Sequence, residues 1–189
     1  MKLAFQGLKL KNKRGFALLR TLTTEDLQSV ITLQQQVYGE IENKNLFVCS
    51  TSEEITLCID KGLAIGAFYE QKLIAYAFGI SAKFKEKPYY SFIDNKENGE
   101  KNVDIMDFEE LAVDEEFRGN SLQKVLSVLM IELARNLAFK AVYCCASPEN
   151  SFSVNNLLSV GFEIIKTTEV FENKQRHIFE FDLKKQTEL

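Results

Sequence analysis

The chain has 189 residues, 46% hydrophobic and 26% charged, with a formal net charge of −4. That length fits one domain with a core of its own. The composition is that of a soluble globular protein, and the acidic balance argues against a broad nucleic-acid surface. The single histidine and the four cysteines, Cys49, Cys58, Cys144 and Cys145, make no CxxC pair and no zinc pattern. Unpaired thiols of this kind read as reduced, in a cytoplasmic protein.

The first fifteen residues carry Lys2, Lys9, Lys11, Lys13 and Arg14. They lack the long apolar run and cleavage site of a signal peptide and read as a solvated arm or an extra strand. Nothing approaches the roughly 18–20 apolar residues of a membrane span. Residues 16–189 then read as one domain. Phe16 to Leu22 predicts a strand. Thr24 predicts an N-cap, with a helix running to about Tyr38. Thr51-Ser52-Glu53-Glu54 opens a second helix that Lys61-Gly62 closes. Leu63 to Tyr69 and Lys72 to Ile80 predict a hairpin, although Glu70-Gln71 lacks the Asn-Gly or Asp-Gly signal. Residues 82–103 are polar and charged, longer than most loops. They read as a substrate-side flap, with Tyr89, Tyr90 and Phe92 as its contacts, or as a surface insertion.

Ile105 to Val113 predicts the next strand, followed by a charged corner and by Arg118-Gly119-Asn120-Ser121, which opens a helix. Leu122, Val125, Leu126, Leu129 and Leu133 predict its buried stripe. A small-residue turn at a helix start presents unpaired N–H groups and the positive end of the dipole. That pattern suits phosphate, or is simply a strand-to-helix turn. Ala141 to Ala146 predicts a buried strand whose Cys144 and Cys145 point to opposite faces. A short helix from about Ser151 to Val160 follows. Two strands, Phe162 to Val170 and Gln175 to Leu183, close the chain. The order β-α-α-β-β-β-α-β-α-β-β is an α+β layout around a mixed, mostly antiparallel sheet.

LAVDEEFRGNSLQKVL resembles motif A of the GNAT superfamily of acyl-CoA N-acyltransferases, a strand, then Arg/Gln-x-x-Gly-x-Gly/Ala, then a helix. Arg118 takes the first position, while Ser121 and Gln123 replace the two glycines. A second stretch is similar to the family's Asn-x-x-Ala/Ser-x-x-x-Tyr-x-x-x-Gly-Phe, with Asn150, Ser153, Gly161 and Phe162 in place and Leu157 at the Tyr position. The element order matches across residues 16–183.

The resemblance implies acetyl-CoA as co-substrate, no metal, and an amine acceptor that is a small molecule or a peptide. It places the pantetheine on the backbone of Leu111, Ala112 and Val113. The pyrophosphate falls on Arg118, Gly119, Asn120, Ser121, Leu122 and Gln123. Asn150 and Ser153 reach in from the other side, and Asn150 also reads as a plain helix cap. Family members carry their base at the positions of Asp107 and Glu109. Alternation puts these two carboxylates on one face of the strand and Glu110 on the other. Glu109 is the candidate base with Asp107 assisting, and the same residues also read as solvated strand carboxylates. Three acidic groups suggest a cationic acceptor: a polyamine, an aminoglycoside, an amino acid or a protein lysine. Leu157 leaves the acid unnamed, with Tyr143, Cys145 and Ser153 as stand-ins. His177 reads as structural. Competing readings are an acyl-CoA-binding module without turnover and a dimerising protein pairing through FEIIKTTEV. No nucleic-acid or membrane partner is expected.

Overall fold

A computed structural model describes residues 6–93 and 104–185. Its strands are β1 (Gln6–Lys9), β2 (Phe16–Thr21), β3 (Leu63–Tyr69), β4 (Lys72–Ser81), β5 (Ile105–Val113), β6 (Ala141–Ala146), β7 (Glu163–Val170) and β8 (Lys174–Asp182). The helices are α1 (Leu27–Glu40), α2 (Ser52–Lys61), α3 (Leu122–Asn136) and α4 (Ser151–Ser159). The order is the predicted one with one strand more, because Gln6–Lys9 pairs antiparallel with β2.

The eight strands form one sheet in the order β1-β2-β3-β4-β5-β6-β8-β7. Every neighbouring pair is antiparallel except β5 and β6. Alternation assigns the two faces. Ile65, Ala67, Ala75 and Ala77 pack under α3 and α4, and Tyr76, Phe78, Ile80 and Ala112 pack under α1 and α2. Val142 and Cys144 belong to the first face, whereas Tyr143 and Cys145 belong to the second.

Local chemistry explains the boundaries. Asp26 forms a bidentate pair with Arg20, both distances 2.7 Å, and accepts the Thr23 N–H at 2.8 Å. The first helix therefore opens one residue earlier than predicted, as a short 3₁₀ turn. At α2, Thr51 and Glu54 form a reciprocal capping box. The β3–β4 turn places Glu70 and Gln71 both at positive φ, 48° and 69°, so the hairpin has I′-like geometry without its usual residues. The buried face of α3 is rotated from the predicted stripe. Leu122, Leu126, Met130, Ile131, Leu133 and Ala134 are buried, and Val125 and Leu129 flank them.

After β4 the chain makes two 3₁₀ turns, Ala82–Phe84 and Tyr89–Phe92. Tyr89 and Tyr90 pack there on Tyr143 of β6 and Ile178 of β8. Positions 94–103 of the proposed flap lie outside the described residues.

Candidate functional site

The sheet is split at its centre. β5 and β6 pair over three positions only, Ile105 with Ala141, Met106 with Val142 and Asp107 with Tyr143. Beyond that rung β6 continues against β8, while β5 continues against β4 alone. The β5 edge from Phe108 to Val113 is thus left without a strand partner on its β6 side, and its outward N–H and C=O groups face open space. A continuous cleft of about 1480 Å³ fills the gap and reaches the start of α3. That exceeds the volume typical of a single small-ligand pocket, about 300–1,000 Å³.

A β-bulge sets the chemistry on β5. Phe78 opposes Glu110 and Gly79 opposes Phe108, so Glu109 is the extra residue. The bulge interrupts the alternation. Glu110 does not turn to the opposite face as the period of two predicts. It emerges on the α1/α2 face together with Asp107 and Glu109. Its carboxylate there accepts from the Gln34 amide at 3.0 and 3.1 Å, from the Ser50 N–H at 2.8 Å and from the Tyr76 hydroxyl. Every acceptor direction of Glu110 is used, which makes it a fastener of α1 and the α2 approach to the sheet.

Asp107 and Glu109 share a cation that the sequence did not point to. Lys85 Nζ lies 2.7 and 2.8 Å from the Glu109 oxygens and 3.3 Å from Asp107 Oδ2. Asp107 is fully buried. Its Oδ2 accepts the Tyr89 N–H at 2.8 Å, and its Oδ1 has no hydrogen-bond partner. Burial pushes the Asp107 carboxyl up to about 7, against the pull of Lys85 and with the help of Glu109. Burial raises Glu109 too, and Lys85 opposes it. Burial alone would lower Lys85, but the two carboxylates outweigh it and hold the ammonium charged.

Tyr89 completes the group. Its ring lies 4.2 Å from Lys85 Nζ, and its phenol is close enough to Cys145 and Glu109 for their ionisation to be linked. Burial raises the phenol well above its ordinary value, so it keeps its proton. Burial pushes the Cys145 thiol up to about 12, which leaves it a poor nucleophile near neutral pH. Leu157, at the position where the resemblance expects a tyrosine, is buried in the α3/α4 core. Tyr143 bonds Glu180 instead of facing the cleft. Tyr89 is therefore a phenol tied to this group through its N–H on Asp107 and its ring on Lys85. Its tie is 18 residues away in a polar segment, so only its aromatic character was visible in the sequence.

At the far end, Glu115–Phe117 forms a 3₁₀ turn, Gly119 has φ +81°, and Ser121 caps α3 in a left-handed conformation, φ 62°. Arg118, Gly119, Ser121, Leu122 and Gln123 line the cleft. The Asn120 side chain turns away from it. Its Oδ1 accepts the N–H groups of Lys11 and Asn12 at 2.6 and 3.2 Å, and its Nδ2 donates to Phe117 C=O at 2.9 Å. Gln123 reaches across to α4, 3.4 Å from Ser153 Oγ and 3.1 Å from Asn156 Nδ2. Asn150 caps α4 through Oδ1, which accepts the Ser153 N–H at 3.0 Å, and also lines the cleft. Among the described residues no group of three His, Cys, Asp or Glu side chains could hold a metal ion, and no helix is long and apolar enough to cross a membrane.

No family model and no curated protein matches the sequence. Solved structures match the fold. A GNAT-family acetyltransferase of Streptococcus pneumoniae superposes with TM-score 0.67 at 15% identity, over 88% of this chain and 98% of that one. The ribosomal-protein-S18-alanine N-acetyltransferase of Escherichia coli gives 0.66 at 13%, over 88% and 94%. A putative acetyltransferase of Salmonella typhimurium, solved with acetyl-CoA, gives 0.64 at 10%, over 88% and 94%. The fold of this chain is that of the GNAT acetyltransferases.

Proposed function

We propose that the chain is an N-acetyltransferase that moves an acetyl group from acetyl-CoA to a primary amine by direct attack. The observation that carries this reading is the split after Asp107 and Tyr143, which opens the β5 edge onto a cleft ending at the α3 N-terminus. An open strand edge suits an arm that bears amide groups. A helix start with Arg118 beside it suits a pyrophosphate. The Salmonella neighbour, solved with acetyl-CoA, supports the choice of ligand.

Acetyl-CoA, when bound, supplies an acetyl group activated as a thioester. In this reading the backbone of Leu111, Ala112 and Val113 pairs with the pantetheine. The N–H groups from Arg118 to Gln123, that of Asn120 included, face the pyrophosphate, and the Asn150 amide Nδ2 is left for the arm. An acceptor ammonium must lose a proton before it attacks. Glu109 takes that proton as general base, with Asp107 behind it as the second carboxylate of the pair. A backbone N–H near Val113 faces the carbonyl oxygen as it gains charge. Tyr89 is the proton donor for the departing sulfur, the role that Leu157 cannot fill.

A second reading keeps the fold and the acyl-CoA cleft without turnover. The Lys85 bridge favours it, because an internal cation already occupies the candidate base.

Calorimetric titration with acetyl-CoA, followed by an amine-transfer assay, decides between them. Wild type is expected to bind, with Arg118→Glu weakened about tenfold or more through lost charge at the turn. Glu109→Gln and Tyr89→Phe are expected to keep binding while slowing transfer on the order of 100-fold and 10-fold. Binding with no transfer to any amine leaves only the second reading. No binding by wild type sinks both.

A further inference from the structure

The three acidic residues of β5 suggest a cationic acceptor, polyamines among them, and the geometry removes the argument for a polycation. Glu110 is consumed by Gln34, Ser50 and Tyr76. Asp107 and Glu109 hold one cation already, Lys85, through contacts of 2.7 to 3.3 Å. Glu54, which also lines the cleft, is engaged by the Thr51 N–H at 2.7 Å. The rest of the lining carries both signs, Glu86, Glu169 and Glu172 as well as Lys87, Arg118 and the buried Arg176. No concentrated negative field is left to recognise a polyamine.

The cleft wall around Lys85 is apolar. Phe47 comes from the α1–α2 connection, Leu57 from α2, Phe84 and Phe92 from the 82–93 segment, and Phe171 from the β7–β8 turn. Phe84 and Phe171 are 41% and 36% exposed, with Lys83 Nζ 4.8 Å from the centroid of the first ring and the Arg176 guanidinium 5.9 Å from that of the second. Phe171 pays in backbone conformation. It sits at φ 51°, at the head of a turn whose next two residues are at 54° and 69°. A bulky residue rarely adopts that region, where glycine or asparagine costs least. The strained turn holds the Phe171 ring edge-on to Tyr89, centroids 6.3 Å apart, and the Tyr89 ring in turn lies 4.2 Å from Lys85 Nζ. Backbone strain kept at a cleft wall points to function.

We propose that the acceptor is a monoamine carried on an aromatic or aliphatic body, and that Lys85 is the residue that excludes polycations. The body stacks against Phe84, Phe92 and Phe171, and its single amine reaches the Glu109 carboxylate. This deepens the acetyl-transfer reading and rests on it, but the selectivity belongs to the cleft and shows in binding alone.

The test is calorimetric titration of the full chain with 2-phenylethylamine and with spermidine, with and without saturating CoA. Wild type is expected to bind 2-phenylethylamine at least about tenfold more tightly, the gain of burying one ring. Phe171→Ala is expected to erase most of that preference while the chain stays folded, since the side chain is partly exposed. Lys85→Met is expected to raise spermidine affinity about tenfold by uncovering the two carboxylates. Spermidine equal to or tighter than 2-phenylethylamine in wild type overturns the proposal, as does no measurable binding of either amine. A decanoyl thioester of CoA that binds more tightly than acetyl-CoA and displaces 2-phenylethylamine also overturns it, assigning the apolar wall to the acyl chain. Failure of acetyl-CoA to bind, with the amine preference intact, faults the acetyl-transfer reading instead.

Discussion

Asp107 is the carboxyl whose ionisation the fold moves to about 7. It is fully buried, one oxygen is unpartnered, and burial lifts it to about 7, against roughly 4 for an ordinary aspartate. If the Glu109–Asp107 pair accepts the amine proton, kcat/KM rises with pH through about 7 and levels above it. Asp107→Asn removes that limb, and an unchanged pH profile in the variant excludes Asp107 from the pair. The same shift has a stability consequence. Between pH 4 and 7 the folded state binds the Asp107 proton more tightly than the unfolded chain, so stability falls as pH rises across that window and is flat beyond it. The stability of Asp107→Asn relative to wild type should improve by roughly 1–3 kcal/mol between pH 4.5 and pH 8. Urea midpoints at the two pH values measure it. Asp107 and Glu109 were legible from their strand position. The face of Glu110 was not, because the bulge at Glu109 leaves no residue signature. Lys85 was hidden too, one lysine among several in a polar stretch.

The turn into α3 shows how an element is held from far away in sequence. Asn120 is 2% exposed and bonds the backbone of Lys11 and Asn12, 109 and 108 residues away. Asn12 Nδ2 returns a bond to Arg118 C=O at 3.0 Å, and Lys11 Nζ lies 3.0 Å from Ser121 Oγ. The β1–β2 connection therefore braces the turn that would carry the pyrophosphate. Asn120→Ala leaves two backbone N–H groups and one carbonyl without their partner, which should cost roughly 2–3 kcal/mol. It should also weaken acetyl-CoA binding while kcat changes little. Denaturant titration and calorimetry on one preparation check both, and a variant as stable as wild type refutes the bracing role. Motif spacing placed Asn120 in the turn that opens α3, which is where it lies. Its side-chain direction depends on an N-terminal strand whose partner in space no local pattern could name.

At the scale of the molecule, the sheet is two half-sheets joined by three parallel rungs, β1 to β5 on one side and β6, β8 and β7 on the other. The order of elements along the chain was readable because each element carries its own periodicity and turn residues. No residue type marks the split, since separation of β5 from β6 follows from where pairing stops. A join this short lets the halves move against each other more easily than a fully paired sheet would. A ligand lying on the open β5 edge and touching Asn150 beyond β6 contacts both halves at once. Binding should therefore slow hydrogen exchange at β5 amides between Phe108 and Val113, at the first turn of α3, and at the start of α4 together. At about 100 times its Kd, acetyl-CoA should add roughly 2.7 kcal/mol to stability. Protection confined to the β7–β8 hairpin would place the ligand outside the split. Protection on β5 without α4 would mean that the ligand rests on one half-sheet, and the bridging role of the cleft would be lost.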